Sequence, residues 1–252
     1  MKSIFISVRV DSTRLPNKAI LKVYDTPSIE ILIHNLKNSK SADNIILCTT
    51  KNPSDDILCE IAKRNNIKFF RGSSEDKLLR WKGACEEHKV DFFVNVDGDD
   101  LFFDYGLADL VFKQYEKKQF DFIDGRGLYN DVYGISAHAI KTVCKHKKNT
   151  DTEFIKLYFD KIEHLIDSRK IKDVPDKYHK KNIRMTLDYD DDLRFFNEVV
   201  KYFKENKKQM SFENILNFLD NNPSVVSINW HREENWKNNQ DKMIKKITKT
   251  GV

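Results

Sequence analysis

The chain has 252 residues, 40% of them hydrophobic, 12% aromatic and 33% charged, with a net charge of +5. That length suits one large α/β domain that buries its core without disulfides, and so mild a charge permits a small polyanionic ligand without demanding nucleic acid. Four scattered cysteines, Cys48, Cys59, Cys85 and Cys144, form no Cys-x-x-Cys or Cys/His cluster, which argues against a zinc site and predicts a reducing, cytoplasmic setting.

The predicted elements begin with Ile4-Phe5-Ile6, a short apolar run that reads as a first strand and not as a signal peptide. A helix built on Ile29, Leu32, Ile33 and Leu36 leads to a buried strand at Ile45-Ile46-Leu47-Cys48-Thr49. Asn52-Pro53-Ser54-Asp55-Asp56 reads as the cap of another helix, in which Ile57, Leu58 and Ile61 recur at helical spacing. Ile67 to Phe70 is a third strand, Glu75 to Glu87 a helix, and Asp91 to Val96 the next strand. This alternation predicts a doubly wound, mostly parallel α/β sheet.

Further on, strands are predicted at Phe120 to Ile123 and Asp131 to Ile135, around Gly125-Arg126-Gly127. Helices follow near Ala137 to Lys145 and Thr152 to Ile166, then a late strand at Ile183 to Leu187. Asp190 to Phe203 is amphipathic, and Ser211 caps a last helix before the tail from Trp230. Lys242, Lys245, Lys246 and Lys249 alternate there with Ile244 and Ile247. That pattern reads as a solvated terminal helix with a narrow apolar stripe, in preference to a nucleic-acid arm. No apolar run approaches the roughly 20 residues that cross a bilayer, so no membrane insertion is expected. His138, His164 and His231 do not cluster and read as core or surface residues.

Chemistry concentrates where strands end. After the first strand, Arg9, Ser12, Thr13, Arg14 and Lys18 fall within one loop. Guanidinium groups give phosphate oxygens paired donors and a lysine adds a point charge, so a polyphosphate suits this loop. A solvated basic turn is the alternative. Asp97-Gly98-Asp99-Asp100 places three carboxylates after another strand, and a divalent cation relieves their repulsion. A polar helix-capping turn is the alternative. A second acidic run, Asp188-Tyr189-Asp190-Asp191-Asp192, again follows a β-rich stretch. Asp190 reads there as the helix cap, with Asp191 and Asp192 as first-turn charges facing the helix dipole. Asp97-x-Asp99 also fits the metal-binding Asp-x-Asp of a glycosyltransferase, although three loop cations suit a triphosphate better than a diphosphate sugar.

The loop Arg9-x-x-Ser12-Thr13-Arg14-Leu15-Pro16-x-Lys18 resembles the signature of the cytidylyltransferases that make CMP-activated sugars. These include the 3-deoxy-manno-octulosonate and acylneuraminate enzymes and a related family of spore-coat polysaccharide biosynthesis. The chain departs from the pattern at Asn17, usually Gly, and at Asp11, usually a small residue. It departs again at Asp100-Leu101, where the Gly-Asp pair is normally followed by Pro two residues on.

The resemblance implies a nucleotide-diphospho-sugar transferase (Rossmann-like) fold and a Mg²⁺-dependent transfer of CMP from CTP to a sugar or related small acceptor. Arg14, Lys18 and Asp99 would be catalytic, and Asp99 and Asp188 would hold the metal. Arg9, Ser12, Thr13, Arg14 and Lys18 would hold the phosphates. Thr49, Arg71, Gly72 and Ser73 would lie beside the base, where a Gly turn with a Ser cap is the alternative. Arg80 fits either a phosphate contact or a helical-spacing pair with Asp76, the pair being preferred. The resemblance also implies a homodimer, one domain over residues 1–229 with an acceptor and dimerisation insert at about 125–180, and a helical tail at 230–252. An inactive nucleotide-binding relative is the remaining alternative.

Overall fold

The computed structural model describes residues 1–179 and 182–250, the last five of these without their side chains. Strands β1 (Lys2–Ser7), β4 (Asn44–Thr50), β5 (Lys68–Gly72) and β6 (Phe92–Asp97) run parallel in the order β5-β4-β1-β6. Strand β8 (Val132–Ser136) joins β6 antiparallel, and β7 (Phe122–Gly125) and β9 (Ser168–Lys170) complete a seven-stranded sheet. A small antiparallel ribbon, β2 (Lys22–Val23) with β3 (Thr26–Pro27), stands apart.

The sheet is covered on both faces, which is why its strands read as apolar runs instead of alternating. In β1, Ile4 and Ile6 face a core built with α1 (Ser28–Leu36), α2 (Asp56–Arg64), α4 (Tyr105–Lys117), α7 (Asp190–Glu205) and α8 (Phe212–Asp220). Phe5 faces the opposite core, with α3 (Lys77–His88), α5 (Ala137–His146) and α6 (Ile155–Lys161). There Phe5 stacks on Phe93 at 4.2 Å, and Trp81 meets Phe93 edge-on at 5.4 Å. The indole N–H of Trp81 donates to Ser7 Oγ at 2.7 Å, and that hydroxyl donates to Asn95 at 3.1 Å. The indole and hydroxyl donors of this buried chain are both satisfied, and α3 is fastened to the carboxyl end of β1.

The doubly wound, mostly parallel expectation holds. The late strand does not: residues 183–187 pair with no strand among the described residues. Ile183, Met185 and Leu187 are buried, so the apolar alternation was real, and a single bond from Leu187 N to Asp99 O (3.0 Å) replaces a ladder. The predicted helix at 152–166 is also shorter, because Thr152 takes another job. Its hydroxyl accepts from Leu78 N and donates to Asp76, both at 3.1 Å, and α6 starts only at Ile155. Asp76, not Glu75, opens α3 by accepting from Leu79 N at 2.9 Å. A short helix α9 (Pro223–Val226) precedes the long α10 (Arg232–Thr250). Among the described residues no helix is long and apolar enough to cross a membrane. The side chains of Lys246, Ile247 and Lys249 lie outside the described residues.

Candidate active site

Strand β1 pairs with β4 on one side and β6 on the other, and Ser7 stands opposite both Cys48 and Asp97. The chain order reverses between β1 and β6, and open α/β sheets take ligands at such a switch point, outside the carboxyl ends of the strands. The loop after β1 and the turn after β6 both empty there. Buried Val8, Val10 and Leu15 pin the loop, and Val10 N donates to the Asp55 carboxylate at 2.7 Å. Its outer side is an open cavity of about 400 Å³ lined by Arg9, Asp11, Ser12, Thr13, Pro16 and Asn17.

The two departures in this loop have local explanations. Asn17 has φ 59°, the left-handed conformation that favours Gly and that Asn tolerates better than most residues. Asp11 turns toward Asn52 Nδ2 and Ser54 Oγ, each at 3.4 Å.

At the inner end of the loop four charged side chains converge. Lys18 Nζ is 2.6 Å from Asp99 Oδ2 and 2.8 Å from Asp188 Oδ1, and Arg14 Nη2 is 2.6 Å from the same Asp188 oxygen. Burial opposes the charge on Lys18, but Asp99 and Asp188 outweigh it and hold its pKa above the ordinary lysine value. Burial likewise pushes Asp188 up, yet Lys18 and Arg14 pull its pKa down to about 2. Arg14, Lys18 and Asp188 are therefore charged at neutral pH. The bond from Leu187 N to Asp99 O is what brings the Asp188 segment onto the Asp99 turn.

Two carboxylates focused on one cationic nitrogen fit a divalent cation as well. Mg²⁺ is commonly bound by one or two carboxylates together with substrate phosphates, and this site supplies that number. Asp97 is not part of it. Its carboxylate pairs with Lys77 at 2.6 Å, so Asp97 and Asp99 face different cations and do not form an Asp-x-Asp clamp. Asp100 is turned to Asn130; burial, with Asp99 and Asp97 nearby, holds its pKa well above the ordinary carboxylate value.

On the β4–β5 side the structure corrects the sequence reading of two residues. Thr49 is fully buried and its hydroxyl donates to Asp55 at 2.9 Å, so its side chain does not face the crevice. Arg71 folds back: Nε donates to Thr50 O at 2.9 Å, Nη2 to Asn52 O at 2.7 Å, and Nη1 to Asp56. Both act as clasps of the strand ends. Gly72 sits where a Cβ would meet Phe70 and Arg80 at 2.8 and 2.9 Å, so close packing fixes its identity. Ser73 accepts from Asp76 N at 3.1 Å through its hydroxyl and from Arg80 Nη1 at 2.8 Å through its carbonyl. Arg9 Nη1 reaches Ser74 O at 3.1 Å.

Arg80 does not pair with Asp76, because Lys147, Thr152 and Leu79 N already engage that carboxylate. Asp190 does not cap α7 either. Tyr189 is the cap residue, and Asp192 Oδ2 accepts from Asp188 N and Tyr189 N at 2.9 Å each. Asp192 does stand in the first turn of α7, and it is fully buried. Reading the sequence missed Lys77 and Arg184 and the buried contacts of Asp55 and Asp192, because their partners are distant in the fold or the residue is one of several in an acidic run.

Comparisons with known proteins bear on the family of the chain. The sequence profile of the cytidylyltransferase family matches residues 4–181, which takes in the cationic loop and the Asp99 turn, while Asp188 lies just beyond. An uncharacterised protein of Methanocaldococcus jannaschii is 29% identical over 229 residues, covering 89% of this chain and 92% of the relative. The spore coat polysaccharide biosynthesis protein SpsF of Bacillus subtilis is 23% identical over 232 residues, covering 88% and 95%. Among solved structures, a cytidylyltransferase from Leptospira borgpetersenii superposes with TM-score 0.78 at 25% identity, over 89% of this chain and 96% of the other. A CMP-2-keto-3-deoxy-manno-octonic acid synthetase complexed with CTP shares the fold at TM-score 0.63 and 10% identity, over 80% and 99%. With its profile matching well over half of the sequence, the chain belongs to the cytidylyltransferase family of nucleotidyltransferases.

Proposed function

We propose that this enzyme transfers CMP from CTP to a sugar or related small acceptor, with Mg²⁺, and releases pyrophosphate. The observation that carries this reading is the Lys18 ammonium seated between Asp99 and Asp188, with Arg14 alongside. Two cations and two carboxylates that pair with each other can exchange those partners for phosphate oxygens and a metal ion without leaving a charge unpaired.

In this reading Arg9, Ser12, Thr13, Arg14 and Lys18 hold the triphosphate, and Asp99 and Asp188 are the residues that would hold the metal. A bound divalent cation supplies neutralisation of phosphate charge. Arg14 and Lys18 stabilise the negative charge that builds on the departing pyrophosphate as an acceptor oxygen attacks the α-phosphorus in line. Positioning supplies much of the remaining rate. Backbone groups around Gly72 and Ser73, fixed by Arg71, Arg80 and Asp76, lie beside the base.

The name of SpsF supports a surface polysaccharide as the destination of the product. The reading also has the enzyme acting in the cytoplasm as a homodimer, with residues 1–229 as the catalytic domain, the acceptor and dimer contacts in about 125–180, and 230–252 as an appended tail.

Ligands that bind the native state raise its melting temperature by mass action. CTP with Mg²⁺ is expected to shift it more than ATP, GTP or UTP at equal concentration. Pyrophosphate release from CTP with a panel of sugar acceptors then identifies the acceptor. Equal shifts with all four nucleotides overturn the choice of cytosine.

A further inference from the structure

When Arg14 and Lys18 turn to phosphate, Asp188 loses both cations on its Oδ1, and something else must keep its carboxylate in place. The structure holds such a device on the other oxygen. Arg184 Nη2 is 3.4 Å from Asp188 Oδ2, and the same guanidinium grips Asp192 with Nε at 2.8 Å and Nη2 at 3.0 Å. Asp192 in turn accepts from the backbone N–H groups of Asp188 and Tyr189, so it fixes the main chain from which the Asp188 side chain projects. Asn229 Nδ2 donates to Asp192 Oδ1 at 2.9 Å and to Arg184 O at 3.2 Å. Glu233, at the start of α10, lies 3.4 Å from Arg184 Nη1.

Arg184, Asp188, Asp192 and Asn229 are each at most 2% exposed. Ion pairs buried this deeply contribute little to stability compared with apolar packing of the same volume. Their arrangement has a directional use, since a planar guanidinium fork fixes carboxylates in a way an ammonium does not.

We propose that Arg184 and Asp192 are positioning residues for the Asp188 carboxylate, with Asn229 and Glu233 tying them to the C-terminal part of the chain. This rests on the role given to Asp188 above. The clamp touches no reacting atom and acts through Asp188.

Arg184→Lys keeps the charge and removes the fork. Substitutions that loosen a metal ligand's partners typically cost about 10–100-fold in metal affinity or activity. Arg184→Lys is therefore expected to lower kcat and Mn²⁺ affinity measured with CTP present by about 10–100-fold, leaving KM for CTP nearly unchanged. Asp188→Asn is made alongside, and Mn²⁺ binding is followed by electron paramagnetic resonance. In the Asp188→Asn background, Arg184→Lys should bring no further loss of Mn²⁺ affinity, because residues that act through one group are not additive. A merely structural role would lower the melting temperature and leave kcat per folded molecule and the Mn²⁺ affinity at wild-type values. That result, with Asp188→Asn inactive, overturns the positioning role alone. Full turnover in Asp188→Asn overturns the site reading itself. Should Arg184→Lys not fold, the isosteric Asp192→Asn carries the same measurements, the same expected losses and the same overturning result.

Discussion

On one flank of the crevice, Arg14, Lys18, Asp99 and Asp188 reach across it and bond to each other. On the other flank, Thr49, Arg71 and Ser73 turn away and bond to Asp55, to backbone carbonyls and to the first turn of α3. The first arrangement is exchangeable. Its pairs can be replaced by ligand groups of the same charge, and the fold does not depend on which partner is present. The second is a set of fixed clasps that shape backbone, and it leaves recognition to main-chain groups. Substitutions on the exchangeable flank should therefore lower turnover, whatever they cost in stability, and those on the fixed flank should lower stability alone.

The sharpest form of that contrast lies between the two carboxylates of the exchangeable flank. Asp188→Asn and Asp99→Asn should each lower kcat by about 10²–10³-fold, the scale of one lost charge-stabilising group. Their stabilities should differ. Asp188 is almost wholly buried, and its loss strips a carboxylate from Lys18, Arg14 and Arg184 together. Removing one partner of a buried pair costs about 3–5 kcal/mol. The Asp99 side chain is 22% exposed and serves Lys18, which keeps Asp188. Its substitution should cost no more than about 1 kcal/mol. Urea unfolding of both variants checks this, and equal losses of stability would break the asymmetry.

The fixed flank is tested by Thr49→Val. The valine leaves the Asp55 carboxylate short of one buried donor, which costs about 1–3 kcal/mol. Turnover per folded molecule and KM for CTP should stay near wild type. A raised KM at unchanged melting temperature would place the Thr49 side chain on the nucleotide and dissolve the distinction between the flanks.

How much of this was legible differs by region for physical reasons. The strands β1, β4, β5 and β6 are short apolar runs between turn residues, and their parallel sense follows from the helices between them, whereas their order in the sheet does not. The positions of Arg14, Lys18 and Asp99 follow from strand ends and from a motif. Asp192 was hidden because three consecutive aspartates look alike in sequence, although Asp190 is exposed, Asp191 pairs with Arg232 and Asp192 is buried on Arg184. The segment 183–187 alternates like a strand, but alternation reports burial of one side and says nothing about a ladder partner. Thr49 and Arg71 were placed at the right strand ends, but their side chains answer to Asp55, Asp56 and the carbonyls of Thr50 and Asn52, which only the fold brings near.

The smallest effect comes from acid. Burial pushes the Asp188 pKa up, but Lys18 and Arg14 bring it from the ordinary 3.8 down to about 2 in the folded protein. A carboxylate depressed on folding adds stability that is complete above its unfolded value and disappears as the pH falls through its folded value. The relevant window therefore runs from just above 3.8 down to about 2. By pH 3 about 1 kcal/mol of the Asp188 contribution should be gone, with more lost below. Other carboxylates titrate over the same range, so the informative quantity is the difference between wild type and Asp188→Asn. The wild-type unfolding free energy should fall more steeply between pH 5 and pH 3, while the variant lacks this component. Parallel curves would mean that Asp188 titrates alike in the folded and unfolded chain. The buried cluster would then hold no charge-dependent stability, and the exchangeable flank would have to be redrawn without it.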